Sequence, residues 1–319
     1  MKRILFYIFF PVFVISCANN DTQELIEEEF FPTNSNGEFL TAVIADNRNH
    51  PGIKKAEIVE FLLYENNRPT HRFIDIANGE IENRGDYENF GEVILSDEIH
   101  RFYYNADNKV KETRVYNRFG YSFKYENNRI HVGGNDVTDD ENFYSRVIHT
   151  YEEGLLKSLL EEKKNNLREF YYNDDLEIIR QYIENLTYFN RVEIKFSFSP
   201  NKIIYEVNDF DNEILEGNYR VHNSISNPYH KILMKFGVFS YSIGELVSVP
   251  LPFGLFWSGG DTEWFHRYFV EAQFYPGNDR GRQNTVKKTN SFNYPTVTSN
   301  IRKLNYGDNI NERVIYTYQ

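Results

Sequence analysis

One pattern recurs along this chain and limits what it can become: a short alternating run ending in Tyr or Phe, a polar turn, then a second apolar run. The units are Glu60–Tyr64 before Glu65-Asn66-Asn67, Arg101–Tyr104 before Asn105 to Asn108, and Tyr121–Tyr125 before Glu126-Asn127-Asn128. They continue with Val147–Tyr151 before Glu152-Glu153-Gly154, Glu169–Tyr172 before Asn173-Asp174-Asp175, and Ile194–Phe198 before Ser199-Pro200-Asn201. A further run spans Arg313–Tyr318. The anchors Tyr104, Tyr125, Tyr151, Tyr172 and Phe198 stand 21, 26, 21 and 26 residues apart, the length of a β-hairpin with its connections.

Side chains two apart share one face of a pleated strand, so the alternation reads as strand rather than helix. Phe102 and Tyr104 fall together, as do Tyr121, Phe123 and Tyr125, then Phe170 and Tyr172, then Ile194, Phe196 and Phe198, then Val314, Tyr316 and Tyr318. Positions between them are mostly polar, as in Ser122, Lys124, Lys195 and Ser197. Asn, Asp and Gly in the turns tolerate the left-handed backbone that tight hairpins require. The expected fold class is therefore all-β: an antiparallel sheet of repeated tyrosine-rich β-hairpins, an extended or curled meander, with little helix. Short helical turns are expected at Asp139 to Tyr144 and Ile232 to Phe236.

The first residues carry a different signal. Lys2 and Arg3 precede an apolar run, Ile4 to Ile15, that is too short to cross a bilayer as a helix and reads as an export signal. It ends at Val14-Ile15-Ser16-Cys17, and Cys17 is the single cysteine of the chain. This resembles the lipobox of bacterial lipoprotein signal peptides, which implies cleavage after residue 16 and lipidation of Cys17. Several acyl chains on one residue hold a protein to a membrane where one chain does so only marginally. The expected division is a signal peptide at 1–16, a lipidated cysteine and acidic tether at 17–38 that holds the domain off the membrane, and a hairpin-repeat domain at 39–319. With no other cysteine, that domain has no internal disulfide and rests on burial and hydrogen bonding. The net charge of −12 makes nucleic acid an unfavourable partner.

The Tyr-(Glu/Asn) units from Tyr64 to Asp211, the Asn227-Pro228-Tyr229 break, Asn293-Tyr294-Pro295-Thr296 and the Arg313–Tyr318 run together resemble the YD-repeat-like lipoproteins of the Bacteroidota, related by pattern to RHS sheets. Acidic residues soon after the lipidated cysteine resemble the export signal to the outer membrane in that group. The resemblance implies an envelope location and an all-β sheet; it supplies no catalytic residue.

Between about 223 and 264 the rhythm breaks. Leu246 to Gly260 is apolar and interrupted by Pro250, Pro252, Gly254, Gly259 and Gly260, which suits an irregular loop better than a central strand or helix. Phe256, Trp257 and Trp264 on that loop are candidate contact residues for a glycan or a surface protein. Asp261, Glu263 and His266 are weak candidates for a metal site, since a single short cluster lacks a second donor segment. Asp209, Asp211 and Glu213 alternate as in a calcium loop but lack its glycine and terminal glutamate, and Asp136, Asp139, Asp140 and Glu141 read as a solvated acidic loop. Nucleophile elbow, zinc-protease and phosphate-loop motifs are missing, so no residue is assigned as catalytic and no cofactor is expected. The leading function is a non-enzymatic binding or structural module anchored in the cell envelope, probed against a surface glycan hydrolase as the alternative, because paired carboxylates can lie anywhere in a sequence.

Overall fold

The computed structural model describes residues 36–48, 55–83, 86–87, 89–117, 121–132, 135–137, 143–187, 190–209, 214–239, 266–274, 281–303 and 309–319. The first strands are β1 (Leu40–Asp46), β2 (Ala56–Glu65), β3 (Arg68–Ile76), β4 (Glu80–Ile81), β5 (Val93–Tyr104) and β6 (Val110–Asn117). After β7 (Phe123–Glu126), β8 (Arg129–Val132) and β9 (Asn135–Val137) come β10 (Ser145–Glu152), β11 (Leu155–Glu161), β12 (Asn166–Tyr172) and β13 (Ile178–Asn185). Then follow β14 (Asn190–Ser199), β15 (Lys202–Asp209), β16 (Ile214–Ser226), the helix α1 (Pro228–Phe236), β17 (Tyr268–Phe274), β18 (Gly281–Thr289), β19 (Pro295–Lys303) and β20 (Asn309–Tyr318).

All pairings are antiparallel, and they close on themselves. The ladder runs β1–β2–β3–β5–β6–β10, then strand by strand from β10 to β20, which pairs back with β1. Of the twenty strands, β4, β7, β8 and β9 stand outside this cycle, leaving sixteen in it among the described residues. The expected all-β sheet of hairpins is thus observed, and closure removes the exposed edges that an open meander would have to protect.

The turns follow their chemistry. Asn66 and Asn67 have φ of 51° and 60°, and Asn127 and Asn128 repeat those values, as two-residue type I′ hairpins demand. Longer turns use an asparagine as a brace. The Asn105 side chain accepts from the Asp107 and Lys109 amides at 3.0 and 2.9 Å, and Asn290 accepts from Phe292 and Tyr294 at 3.0 Å each.

The anchor tyrosines have a shared task. Opposite Tyr64, Tyr104, Tyr151 and Tyr172 the register slips by one residue, a β-bulge at the start of the returning strand. The same slip recurs between β18 and β19 near Pro295, and where Tyr318 meets Leu40 across the closure. A bulge leaves a backbone group out of the ladder. Each tyrosine hydroxyl donates to the carbonyl at the bulge of the preceding strand pair. Tyr64 reaches Leu40 O at 2.8 Å, Tyr151 reaches Val110 O at 2.7 Å, Tyr172 reaches Leu156 O at 2.8 Å, Tyr318 reaches Pro295 O at 2.5 Å, and Tyr104 bonds Pro69 O.

One face of the cycle holds the main core, with Leu62, Phe102, Val147, Leu159, Phe170, Phe196, Tyr205, Tyr316 and Tyr318 in one cluster. Because this face is shared by strands all round a closed ladder, it is the inner face. The aromatics two apart that alternation pairs, Phe102 with Tyr104 and Phe170 with Tyr172, do lie together in it or packed against it. Each such ring adds about 1.5–3 kcal/mol by burial. The helix fills the same interior through Ile232, Leu233 and Phe236, followed by Val238 and Phe239. Asn227 caps it, accepting from the Tyr229 amide at 3.0 Å, Pro228 stands in its first turn, and Gly237 ends it at φ 73°. So the break at Asn227-Pro228-Tyr229 is a helix start, the turn expected at Ile232–Phe236 is the end of a longer helix, and residues 223–226 belong to β16 rather than to an irregular loop. Of the turn expected at Asp139 to Tyr144, residues 139–142 lie outside the described residues.

The outer face carries paired charges among aliphatic and aromatic side chains such as Ile148, Leu160, Tyr171 and Tyr182. Glu112 pairs with Arg114 at 2.7 Å and Arg146 at 2.9 Å, and Glu193 with Lys195 at 3.2 Å and Arg180 at 3.5 Å. One sector differs. There the β7–β8 hairpin lies outside the cycle with Tyr125 against His71 and Phe73, ring centroids 4.9 and 5.2 Å apart, while Phe61 meets Phe90 edge-on. The expected grouping of Tyr121 with Phe123 and Tyr125 fails, because Tyr121 precedes the strand and is 57% exposed while the other two are buried.

Candidate functional site

Polar chemistry gathers in two places. Inside the cycle, Arg72 pairs with Glu60 at 2.7 Å, and the Tyr229 hydroxyl donates to the same carboxylate at 2.9 Å. On the neighbouring strand Glu98 meets His100 at 2.6 Å and accepts from Asn117 at 2.6 Å. Burial pushes the Glu98 carboxyl up, but the His100 and Asn117 hydrogen bonds and the Arg72 charge outweigh it and hold it below its ordinary value. These groups are buried and engaged with each other, so they serve the fold rather than a ligand. His149 faces Thr113 at 2.9 Å beside the end of the helix, and burial holds it neutral with a pKa of about 3.

The second place is a hollow on the outer surface. It has a volume of about 580 Å³ and is lined by Leu63, Glu65, Glu92, Tyr125, Glu126, Asn127 and Asn128, among others. Its walls are the two type I′ turns at the ends of β2 and β7, together with the chain entering β5. Three carboxylates from separate segments therefore line one depression floored by apolar atoms of Leu63 and the Tyr125 ring. Glu126 is paired with Lys124 at 2.6 Å. Burial raises the Tyr125 hydroxyl pKa and the Glu65 charge raises it further, against the Arg101 charge, which lowers it. Small-molecule sites are mostly apolar and enclosed, whereas this hollow is open to solvent and largely polar, a form that suits a hydrophilic surface contact. None of Glu65, Glu92 or Glu126 stood out in the sequence as more than a turn residue.

The residues singled out in the sequence fare differently. Cys17, Phe256, Trp257, Asp261, Glu263 and Trp264 lie outside the described residues, as do Asp139, Asp140, Glu141, Asp211 and Glu213. His266 is described, and it is buried, edge-on to Phe196 and Phe198 at 5.8 and 6.2 Å. Burial, reinforced by His230, holds it at a pKa of about 3. Asp209 ends β15 opposite Val192, and Asp136 sits opposite His131 in the β8–β9 ladder. Among the described residues no group of three or more His, Cys, Asp or Glu side chains could hold a metal ion.

No family model matches the sequence, and no curated protein matches it. Among solved structures, a porin-like protein from Bacteroides uniformis ATCC 8492 aligns over 91% of this chain and 99% of its own, at 9% identity and a TM-score of 0.35. A porin-like protein from Bacteroides vulgatus ATCC 8482 aligns over 88% of this chain and 98% of its own, at 9% identity and a TM-score of 0.35. The TcdB2-TccC3 structure aligns over 86% of this chain and 19% of its own, at 10% identity and a TM-score of 0.23.

Proposed function

We propose that this protein is a lipid-anchored component of the cell envelope, held to the outer membrane through Cys17, that acts as a non-enzymatic binding or structural module. Its partner, a glycan or a surface protein, is met at the hollow between the β2 and β7 turns. The observation that carries this reading is the polarity of the closed sheet. Its interior is filled by aromatic side chains and a helix, while Glu112, Arg114, Arg146, Arg180 and Glu193 face outward. A barrel that spans a bilayer needs an apolar outer band, and each arginine or lysine at mid-bilayer costs about 2–4 kcal/mol. The sheet is built to stand in water, so membrane attachment falls to the amino-terminal cysteine.

The hydrolase alternative draws on the same hollow, since Glu65, Glu92 and Glu126 come from separate segments. Two measurements separate the readings. Cys17→Ser should move the protein from the membrane to the soluble fraction and abolish incorporation of labelled palmitate; retention with an unchanged label sinks the anchor. A glycan array should show binding that weakens at least about tenfold in the Glu65→Gln/Glu126→Gln double variant, since a hydrogen bond to a charged group contributes about 1.5–3 kcal/mol and a tenfold change is about 1.4 kcal/mol. New reducing ends released by the wild type and lost in that variant would replace the binding module with a hydrolase.

A further inference from the structure

We propose that Ser224 and His222, on the outer face of β16, form an acyl-transfer site that hydrolyses short-chain esters, with Glu271 and Arg220 as positioning residues. The substrate class is acetyl esters carried on a polysaccharide. The site shares no residue with the hollow. It departs from the non-enzymatic reading at this one place and leaves the anchor and the hollow as they stand.

Two bulges on facing strands build it. Arg220 pairs with Ala272 and Val221 with Val270, so Glu271 is the extra residue of a bulge in β17. His222 then pairs with Phe269, and the next matched pair is Ser226 with Tyr268, which leaves Asn223, Ser224 and Ile225 outside the ladder. Bulges re-aim side chains and are over-represented beside active sites. Arg220 and His222 flank Val221, a core residue, so both point outward. The Ser224 hydroxyl meets His222 Nδ1 at 3.0 Å, His222 Nε2 stands 3.7 Å from Glu271 Oε1, and Arg220 Nε holds Glu271 Oε2 at 3.1 Å. The β18–β19 turn braces the serine bulge: the Asn293 side-chain amide donates to Ser224 O, and Asn293 O accepts from the Ser226 amide at 2.9 Å.

A serine hydroxyl is a weak nucleophile unless a neighbouring base takes its proton, and a third group that orients the base completes the arrangement. With the imidazole neutral and its proton on Nε2, toward Glu271, Nδ1 is the acceptor for the Ser224 proton. As Oγ bonds to the ester carbonyl carbon, that proton passes to Nδ1, and the carboxylate 3.7 Å away balances the imidazolium charge. The amides of Ser224 and Ile225, released from the ladder, are the donors at hand for the carbonyl oxygen as it becomes negative. The bond to the alcohol then breaks, and the alcohol leaves with the proton from Nδ1. A water deprotonated by the same nitrogen frees the carboxylic acid and restores the serine. Ser224 is exposed, and Arg220, His222 and Glu271 surround it with polar groups rather than an apolar slot. The acyl group it accepts is therefore short, while the open face admits an alcohol that is part of a large polymer.

The full chain is treated with a biotinylated fluorophosphonate, and the labelled peptide is located by mass spectrometry. One label at Ser224 is expected, lost in Ser224→Ala and His222→Asn and unchanged in Ser197→Ala, an exposed position on β14. The chain should hydrolyse p-nitrophenyl acetate, with kcat falling about 100-fold or more in Ser224→Ala and His222→Asn, the size that general-base catalysis contributes. Glu271→Gln should lower kcat while KM and the denaturation midpoint stay put, a split that a purely structural role would not give, and Glu271→Asp should restore part of the loss. A label on another residue, no label at all, or acetate hydrolysis that survives Ser224→Ala but requires His222, as an isolated surface imidazole would give, overturns the site. Turnover of p-nitrophenyl octanoate equal to that of the acetate overturns the short-acyl assignment. Glycan binding at the hollow is read separately by the array, so its failure and the failure of this site are distinguishable.

Discussion

Tyr64-Glu65-Asn66-Asn67-Arg68 and Tyr125-Glu126-Asn127-Asn128-Arg129 are the same five residues, they make the same turn with the same φ values, and they end in different structures. In the first hairpin the ladder slips after Tyr64, and the hydroxyl donates to Leu40 O on β1. In the second the register runs unbroken from Glu126↔Arg129 to Phe123↔Val132, and the Tyr125 hydroxyl turns back to the Asn128 side chain at 3.2 Å. The turn is therefore local, but the bulge is not. Tyr64 lies between two strands of the cycle and donates to the carbonyl at the bulge of the pair before its own, whereas β7 leaves the cycle and has no such neighbour. The second hairpin instead gives its aromatic face to the outer side of β3, and the hollow opens between the two turns.

The sharpest way to break the cycle side of this comparison is Gly237→Ala. Gly237 holds φ 73°, and a Cβ there would run into the Tyr151 hydroxyl, so it strains the backbone and displaces one of the bulge tyrosines. Together these should cost about 2–5 kcal/mol, read by chemical denaturation. Acid tests both regions at once. Burial lowers His71, beside Tyr125, and His149 and His266, in the interior, to pKa values of about 3, and His230 to about 4. The unfolded chain binds these protons below about pH 6.5 while the folded one does not, so stability is full above that pH and falls as the pH drops toward 4. His71→Gln should flatten the slope in this window by up to about 1.4 kcal/mol per pH unit, and an unchanged slope would mean that His71 already charges in the fold.

Smaller effects separate the twins themselves. Tyr64→Phe leaves the Leu40 carbonyl without its donor and should cost about 1–3 kcal/mol, whereas Tyr125→Phe should change stability by less than about 0.5 kcal/mol. Equal losses would dissolve the distinction between the two hairpins. Phe198→Tyr tests the rule from the other side. Phe198 stands one strand pair beyond the bulge at Ile178, where every comparable position carries a tyrosine, and an added hydroxyl aimed at the Ile178 carbonyl should raise stability by about 0.5–1.5 kcal/mol. Smallest is Leu176→Gly. Leu176 is exposed at φ 62°, a backbone that a branched side chain resists, and relief of that strain should add up to about 1 kcal/mol to the unfolding free energy.

What the sequence determined alone is local. Alternation named the strands, because side chains two apart must share a face, and Asn-rich turns named the hairpins, because few other residues accept φ near 60°. The helix end at Ile232–Phe236 was legible too, although its cap, Asn227-Pro228, read as a break, since a cap and a chain break use the same residues. The tertiary structure decided everything that depends on a partner strand: that β20 returns to β1, that one of two identical hairpins leaves the cycle, and that His266 is a core residue between two phenylalanines. The same holds for the hollow, whose Glu65, Glu92 and Glu126 meet only because β7 folds across the outer face. A hydrogen bond between neighbours in space leaves no period in the sequence, and for that reason the tyrosines could be read as strand residues but not as donors to one another's bulges.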